Sequence, residues 1–353
     1  MLQKTITVLV VDDSSLFRRM IIDYLSSCPD IKVVGYAINA YDARRKIPLL
    51  KPDVITMDVE MPGLNGLDFL KQLLPEHPIP VILVSSLNLT VFDALSAGAV
   101  DFVRKPDMAA FSKERFFSSL NSKIHTASFA KVRISARKSN PGSGHLSVPE
   151  KPLPLLKGEL PLRSAVIAIG ASTGGTEATL SVLRKLPADM PGIVITQHMP
   201  EGFTQMYAQR LNRICRMEVR EAKNGDKIRP GLALIAPGSQ QMEVIRSGNG
   251  YAVRCFSGEK VSGHMPSVDV LFHSVAKNVT TNKVGIIMTG MGKDGAEGLL
   301  EMRKKGAFTI GQDKASCVVY GMPMVAYNIG AVSIQSSCEN IPSVLLNHLK
   351  KLT

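Results

Sequence analysis

The chain has 353 residues, of which 45% are hydrophobic and 20% are charged, and it contains no tryptophan. A chain of this length is expected to form about two domains of roughly 100–200 residues each. Because no signal peptide and no unbroken apolar stretch of about 18 residues is present, we expect no membrane span and no direct membrane insertion. The five cysteines are scattered without C-x-x-C spacing, which argues against a disulfide framework and a zinc site and favours the cytoplasm.

The net charge of +12 is distributed unevenly along the chain. Residues 1–106 hold 11 basic and 12 acidic side chains, whereas residues 163–353 hold 22 basic and 14 acidic ones, a net charge of +8. An excess of basic side chains favours binding to nucleic acid, to an anionic membrane surface or to an acidic protein. Since no zinc-finger, RRM or basic–aromatic pattern accompanies it, we expect an acidic protein partner rather than nucleic acid.

The first predicted domain, residues 4–106, alternates apolar strand-like runs with helix-like ones, which favours a parallel, doubly wound sheet. The predicted strands cover residues 6–11, 31–37, 54–57, 81–84 and 100–103. Asp12 and Asp13 follow the first strand and Asp58 follows the third. The carboxyl ends of parallel strands share one edge of a sheet, so these carboxylates should converge there. Three such carboxylates repel one another unless a hard cation joins them, and Mg²⁺ suits that role.

Five polar residues at strand ends, together with the tripeptide Met61-Pro62-Gly63, resemble a response-regulator receiver domain; the five are Asp12, Asp13, Asp58, Ser85 and Lys105. The resemblance implies a flavodoxin-like (βα)5 fold in which Asp58 accepts a phosphoryl group from a histidine kinase. It also implies that Asp12, Asp13 and Asp58 hold Mg²⁺, while Ser85 and Lys105 bind phosphoryl oxygens. Simple solvation of strand ends is the alternative, but it explains one such residue better than five.

One departure from that family concerns the fourth helix of the receiver. Only Asn88, Leu89 and Thr90 separate Ser85-Ser86-Leu87 from the next helical run, so we expect this helix to be about one turn short. Residues 107–162 follow, and their Lys/Arg, Ser, Gly and Pro content predicts an irregular linker. A short amphipathic piece at residues 111–120 is compatible with an extension of the receiver's last helix, and a basic docking segment is an alternative for the remainder.

The second predicted domain, residues 163–350, is organised around AVIAIGASTGGTEATLSVLRKLP at residues 165–187. A short apolar run ends there in a glycine-rich turn, and a helical pattern follows. Residues 170–174, GASTG, match G-x-S-x-G, a turn that raises a nucleophilic serine above the sheet edge in serine hydrolases. A phosphate-binding or purely structural glycine turn is the alternative, because short motifs produce many false matches.

Two more polar residues follow predicted strands of this domain. His198 comes just after residues 192–196, and Asp294 comes soon after residues 284–288. If these strands are parallel, Ser172, His198 and Asp294 share one edge, as nucleophilic catalysis requires. The alternatives stay open: His264 or His273 could be the base, and Asp294 could be a helix N-cap. The order Ser–His–Asp excludes an α/β-hydrolase, and residues 170–175 lack the G-x-G opening of a Rossmann nucleotide site.

Long motifs of the second domain resemble the chemotaxis protein-glutamate methylesterases, in which a receiver is fused to an esterase domain. The segments that carry the resemblance are GASTGGTEA, QHMPEGFT, SGHMPSVDVLF, TGMGKDGAEGL and QDKASCVVYGMP, starting at residues 170, 197, 262, 289 and 312. It implies a doubly wound, mostly parallel α/β esterase domain with Ser172 as nucleophile, His198 as base and Asp294 as its orienter. It further implies that the N–H of Met291 helps to form the oxyanion hole, with Thr173 beside it.

The function implied by this resemblance is a phosphorylation-activated serine esterase. It would hydrolyse glutamate γ-methyl esters on the cytoplasmic helices of chemoreceptors, release methanol, and also deamidate glutamines there. Mg²⁺ would serve the receiver, and no cofactor is implied for the esterase. Gln241 stands where that family often carries histidine, and since this position is outside the triad, we expect catalysis to survive. A receiver-controlled binding module with a decayed triad is the main alternative, and a nucleic-acid-binding regulator is a weaker one.

Overall fold

The computed structural model describes residues 5–86, 90–106, 110–132 and 164–352. The chain divides into two compact units, Met1–Ser139 and Asn140–Thr353. Within the described ranges, no helix is both long enough and apolar enough to cross a membrane.

The first unit is built on a parallel five-stranded sheet in the order β2-β1-β3-β4-β5. The strands are β1 (Ile6–Val11), β2 (Ile31–Ala37), β3 (Val54–Asp58), β4 (Val81–Ser85) and β5 (Asp101–Arg104). The helices described in this unit are α1 (Ser15–Ser26), α2 (Ala40–Leu50), α3 (Gly66–Glu76), α4 (Thr90–Ala97) and α5 (Ala110–Ser128). Helix α1 packs beside α5, whereas α3 packs beside α2 and α4. Helices therefore cover both faces, which explains the continuous apolar runs of β3 and β4 and confirms the predicted doubly wound fold.

Helix α5 begins inside the segment predicted as a linker and is longer than the amphipathic piece predicted at residues 111–120. Phe116, Leu120 and Ile124 recur every four residues along one side of the helix and are all buried. The helix contacts β3, β4 and β5, and it therefore belongs to the first folded unit, beyond the boundary placed at residue 106. Residues 133–162 of the predicted linker lie outside the described residues.

Helix α4 has eight residues and is the shortest of the helices described in the first unit. Residues 87–89, which precede it, lie outside the described residues. The expected shortening of this helix relative to other receivers stays a prediction.

The second unit contains a seven-stranded parallel sheet and a small antiparallel one. The strands, in chain order, are β6 (Val166–Ala171), β7 (Gly192–Gln197), β8 (Glu218–Glu221), β9 (Lys227–Ile228), β10 (Leu232–Ile235), β11 (Gln241–Ser247), β12 (Gly250–Phe256), β13 (Lys283–Ile287), β14 (Phe308–Gln312) and β15 (Ile334–Ser336). The large sheet has the order β15-β14-β13-β6-β7-β10-β8, and the small one has the order β11-β12-β9. From β6 the chain first winds toward β7 and later returns through β13 on the other side. Such a reversal opens a crevice at the carboxyl ends of the strands, next to β6.

The helices described in the second unit are α6 (Gly175–Leu183), α7 (Phe203–Ile214), α8 (Val268–Asn278), α9 (Ala296–Lys304), α10 (Met322–Asn328) and α11 (Ile341–Leu349). Helices α8, α9 and α10 pack side by side, while α6 packs beside α11. Leu271, Phe272 and Val275 of α8 share a core with Met242 and Val244 of β11, so the small sheet is anchored on α8. This arrangement confirms the predicted doubly wound, parallel α/β domain.

Candidate active site

Ser172 lies in the sharp turn between β6 and α6. Its N–H donates to the carbonyl of Thr289 (3.0 Å), and its own carbonyl accepts from the N–H of Gly175 (2.7 Å) and from Gln197 Nε2 (2.9 Å). Gly174 has a φ of 74°, a left-handed conformation that glycine adopts without strain. A Cβ on Gly175 would lie 2.3 Å from Gln197 Oε1. The turn therefore needs both glycines, and it fixes the backbone that carries the serine hydroxyl.

His198 is the first residue after β7, and its side chain is 7% exposed. Its Nδ1 lies 3.1 Å from Ser172 Oγ, and its Nε2 lies 2.7 Å from Asp294 Oδ2. An ionised carboxylate can only accept a hydrogen bond, so Nε2 carries the proton and Nδ1 offers its lone pair to the serine hydroxyl. The ring is thus oriented as a base toward Ser172 through Nδ1.

Asp294 is almost fully buried and lies against the N-terminus of α8. Its Oδ1 accepts from Ser267 Oγ (2.7 Å) and the N–H of Asp269 (3.0 Å), while Oδ2 accepts from the N–H of Val268 (2.8 Å). Burial raises the pKa of this carboxyl, but the hydrogen bonds from His198, the backbone and Ser267 outweigh burial and lower the pKa to about 2. Asp294 is therefore an anion at neutral pH.

The residues named as alternatives in the sequence analysis make other contacts in the structure. Gly295, not Asp294, is the N-cap of α9, so the carboxylate does not cap the helix that follows it. His273 lies on α8, where its Nδ1 pairs with Glu301 Oε2 of α9. His198 is the histidine that the structure brings into hydrogen-bond contact with both Ser172 and Asp294.

The three side chains come together because the strands that precede them are neighbours. Ser172 follows β6, which lies between β7 and β13 in the sheet, and those two strands precede His198 and Asp294. All three strands are parallel, so their carboxyl ends open onto the crevice beside β6. A serine hydroxyl, an imidazole and a carboxylate therefore meet at the point where an α/β sheet binds its ligands, an arrangement that can support nucleophilic catalysis.

In the first unit, Asp12, Asp13 and Asp58 cluster at the carboxyl edge of the five-stranded sheet. One carboxylate oxygen from each lies within 4.8 Å of the other two. Lys105 Nζ is 2.6 Å from Asp58 Oδ2 and 3.7 Å from Asp12 Oδ2. Ser85 ends β4, the neighbour of β3, and its hydroxyl donates to the Ser86 carbonyl (3.0 Å).

The electrostatics of this cluster favour a bound cation. Burial, only partly offset by Lys105, raises the pKa of Asp12 to about 6 and also raises the pKa of Asp58. Within the described residues, Asp12 Oδ2 is buried without a hydrogen-bond partner. A divalent cation would supply that partner and stabilise the converging charges, so the residues present fit such an ion.

Comparison with known proteins assigns both units. A family model described as CheB methylesterase matches residues 167–345, about half of the chain and the part that contains the triad. The chain belongs to the CheB methylesterase family. A model of the response regulator receiver domain matches residues 8–114, so both resemblances seen in the sequence are confirmed.

Individual relatives resemble the chain over nearly its whole length. Protein-glutamate methylesterase/protein-glutamine glutaminase 2 of Syntrophomonas wolfei is 50% identical over 350 residues, which cover 99% of each chain. The protein-glutamate methylesterase/protein-glutamine glutaminase of Salmonella typhimurium is 47% identical over 333 residues, 93% of this chain and 92% of that one. The crystal structure of the Thermotoga maritima CheB methylesterase catalytic domain is similar with a TM-score of 0.51 and 32% identity, covering 52% of this chain and 97% of that chain.

Met291 and Thr173, the other residues predicted for this CheB methylesterase site, flank Ser172 in the structure. Met291 follows Gly290, where a Cβ would lie 2.6 Å from Ser172 Cβ. Among the residues that the structure describes, no backbone carbonyl accepts from the N–H of Met291. Thr173 is buried, and its carbonyl accepts from Thr289 Oγ1 (3.0 Å).

Residues absent from the predicted site also hold it together. Gln197 Nε2 donates to the carbonyls of both Ser172 (2.9 Å) and His198 (3.3 Å), so one amide joins the turn of Ser172 to the turn of His198. Its position directly before His198 was the available signal in the sequence. Ser267 lies in the segment SGHMPSVDVLF, but its contact with Asp294 depends on how α8 packs beside β6 and α9.

Gln241, at the start of β11, connects two segments of the site. Its Oε1 accepts from the N–H of Ser267 (2.8 Å), and its Nε2 donates to the carbonyls of Glu259 (3.0 Å) and His264 (3.3 Å). Gln241 therefore ties the segment that carries His264 to a residue that binds Asp294. The expectation that glutamine at this position preserves catalysis stays a prediction.

Proposed function

We propose that this chain is a phosphorylation-activated serine esterase that hydrolyses glutamate γ-methyl esters on the cytoplasmic helices of chemoreceptors. The observation that carries the proposal is the hydrogen-bonded series Ser172–His198–Asp294 at the carboxyl ends of neighbouring parallel strands. The printed names of the full-length relatives support the substrate class and a second activity, deamidation of glutamine. The working place of the chain is then the cytoplasm.

In the proposed reaction, His198 Nδ1 takes the proton of Ser172 as Oγ attacks the ester carbonyl carbon. Asp294 keeps the proton on Nε2 and stabilises the imidazolium that forms. The N–H of Met291 donates to the carbonyl oxygen as it becomes negative. His198 then gives its proton to the departing methoxide, so methanol leaves and the glutamyl group remains on Ser172.

Water completes the proposed cycle. His198 takes a proton from water, the hydroxide attacks the glutamyl ester, and the proton passes to Ser172 Oγ as it leaves. The products are glutamate and the free enzyme. The same steps on a glutamine side chain release ammonia in place of methanol, which is the glutaminase reaction.

The receiver is proposed to switch this activity through Asp58. A histidine kinase would supply the phosphoryl group, and Mg²⁺ held by Asp12, Asp13 and Asp58 would neutralise its charge. Lys105 now pairs with the Asp58 carboxylate and would instead meet a phosphoryl oxygen, with Ser85 beside it on β4. Phosphorylation thus changes the partner of Lys105, which gives the modification a local structural effect.

The proposal is tested by methanol release from methylated receptor by the full-length chain. Ser172→Ala and His198→Ala should each remove most of the turnover, and the double variant should be little worse, because triad members act as a unit. His273→Ala is the matched control and should keep full activity. Near-normal turnover in Ser172→Ala would show that the nucleophile is another residue, and receptor binding without Ser172-dependent methanol would support a binding module instead.

A further inference from the structure

The ring of His264 lies face to face with the ring of the catalytic base. The centroids of the His198 and His264 rings are 3.7 Å apart, and the ring planes are inclined by only 11°. The in-plane nitrogens of His198 are directed at Ser172 and Asp294, so His264 covers a face that those two residues leave open. The contact therefore adds a constraint in the direction perpendicular to the ring.

The backbone holds His264 in this position. His264 and Val261 exchange hydrogen bonds between their N–H and carbonyl groups, at 2.9 and 3.0 Å. Between them, Ser262 (φ 52°) and Gly263 (φ 83°) are both left-handed, as in the tight turns that close antiparallel hairpins. Gln241 also donates to the carbonyl of His264. A turn with so many contacts presents the imidazole as part of a fixed structure.

A stacked ring has two physical effects on a catalytic base. Hydrogen bonds through Nδ1 and Nε2 direct the two nitrogens but leave the ring able to tilt about the line that joins them. A neighbour in face-to-face contact blocks that tilt and keeps water from the covered face. The π face of an aromatic ring also attracts the positive charge that His198 gains during the reaction, as aromatic faces attract cations.

We propose that His264 is a positioning residue for the esterase reaction, acting by stacking on His198. This inference rests on the proposed roles of Ser172 and His198. His264 itself exchanges no proton with the substrate in this scheme. Its contribution comes from the aromatic face, and an aromatic side chain without ring nitrogens should therefore supply most of it.

The test compares three variants of the full-length chain with a small activated ester, p-nitrophenyl acetate, as the probe. His264→Ala should lower kcat by about ten- to a hundredfold with little change in KM, because the geometry of proton transfer is loosened. His264→Phe should recover most of the lost kcat. The matched control is His348→Ala, which removes a histidine stacked on Phe308 (4.0 Å, 10°) on the distant α11 and should leave kcat unchanged.

Specific outcomes overturn the inference. Wild-type kcat in His264→Ala shows that the stack is dispensable, and equal loss in the Ala and Phe variants shows that ring nitrogens matter rather than stacking. If the wild type itself lacks Ser172-dependent hydrolysis, the proposed function fails instead. A separate readout needs no activity: the His198 ring protons in NMR spectra should shift when His264 becomes alanine, through loss of its ring current, and unchanged resonances would rule out the stack.

Discussion

At the scale of single residues, Asp294 has the most demanding surroundings in the active site. Burial of a carboxylate costs free energy unless hydrogen-bond donors stabilise its charge. Four donors from two parts of the chain hydrogen-bond to Asp294. Two of them are backbone N–H groups at the start of α8, where the positive end of the helix dipole also favours an anion. The helix therefore stabilises the charge that orients His198.

The charge of Asp294 and one of its donors can be removed separately. Asp294→Asn should lower kcat by on the order of 10³–10⁴-fold, because an amide cannot accept from every present donor and favours the wrong tautomer of His198. Ser267→Ala removes one donor but leaves the two backbone ones, so a loss of about tenfold is expected. Steady-state hydrolysis of the methylated receptor measures both.

Ser247→Ala, on the small sheet, is the control for a lost serine hydroxyl and should behave as wild type. An Asp294→Asn variant with full activity would contradict the orienting role of this carboxylate.

At the scale of elements, the turn between β6 and α6 is restricted by its neighbours as well as by its own backbone. A Cβ on Gly174 would lie 2.6 Å from Val318, and one on Gly175 would lie 2.3 Å from Oε1 of Gln197, the last residue of β7. Strand β7 and the segment after β14 therefore press on this turn from two directions. The close packing holds Ser172 in a fixed position relative to the carboxyl edge of the sheet.

Gly175→Ala should reduce esterase activity and stability together. The new methyl group must displace Gln197, whose amide joins the turns of Ser172 and His198, and overpacking of this kind costs about 1–3 kcal/mol. The rate of receptor demethylation would measure the loss of activity, and unfolding in denaturant would measure the loss of stability. Gly250→Ala is the control, since no atom lies within 4 Å of a Cβ there. Equal behaviour of the two variants would mean that the turn tolerates a side chain.

A second element-scale feature joins β12 to the loop before β13. The N–H groups of Thr280 and Thr281 donate to the hydroxyl oxygen of Tyr251, at 3.0 and 3.2 Å. Burial raises the pKa of this phenol, but hydrogen bonds from the two threonines outweigh burial and lower the pKa to about 8. Tyr251 therefore ionises at a lower pH in the folded chain than an ordinary tyrosine does.

Absorbance near 295 nm should show one of the seven tyrosines ionising close to pH 8, and Tyr251→Phe should remove that step. Because the folded-state pKa lies below the unfolded value near 10, the stabilisation from Tyr251 is complete above about pH 10 and disappears as pH falls through about 8. Tyr327→Phe, at an exposed position, should leave the pH 8 step intact. A titration without any step near pH 8 would show that burial dominates.

At the scale of the whole molecule, the proposed switch links chemistry in one folded unit to activity in the other. Phosphorylation can change the esterase rate only as far as it stabilises one state of the chain more than another. The receiver contributes an acidic cluster with one partly buried lysine, and adding a phosphoryl group there changes the local charge substantially.

A small phosphodonor with Mg²⁺ should raise the methylesterase activity of the wild-type chain, and chelation of Mg²⁺ should prevent this. Asp58→Asn should keep the basal rate but lose the stimulation, because the acceptor carboxylate is gone. Asp23→Asn, an exposed acid on α1 paired with Arg19, is the control and should respond as wild type. Stimulation that persists in Asp58→Asn would place the phosphorylation site elsewhere.

Most of the fold and the core of the site could be predicted from local patterns. Apolar runs such as residues 54–57 and 81–84 are too short for helices, and alternation with amphipathic segments makes them parallel strands. Polar residues directly after such strands must gather at one edge, so local pattern was enough to place Asp12, Asp58 and Ser172 there. The end of the receiver was harder to place, because residues 107–109 interrupt the pattern before α5 begins.

The sequence by itself determined which segments are strands and helices, which glycines form the turn at Ser172, and which side chains stand at strand ends. All of this depends on residues close together in the chain. The tertiary structure decided the order of the strands, and with it the meeting of residues that are far apart in sequence. Only that order places β13 and β7 on opposite sides of β6. As a result, His198 rather than His264 or His273 hydrogen-bonds to Ser172, and the ring of His264 stacks on the ring of His198. The physical reason is that periodicity records which face of an element is buried, whereas the neighbour that buries it is set by packing of the whole domain.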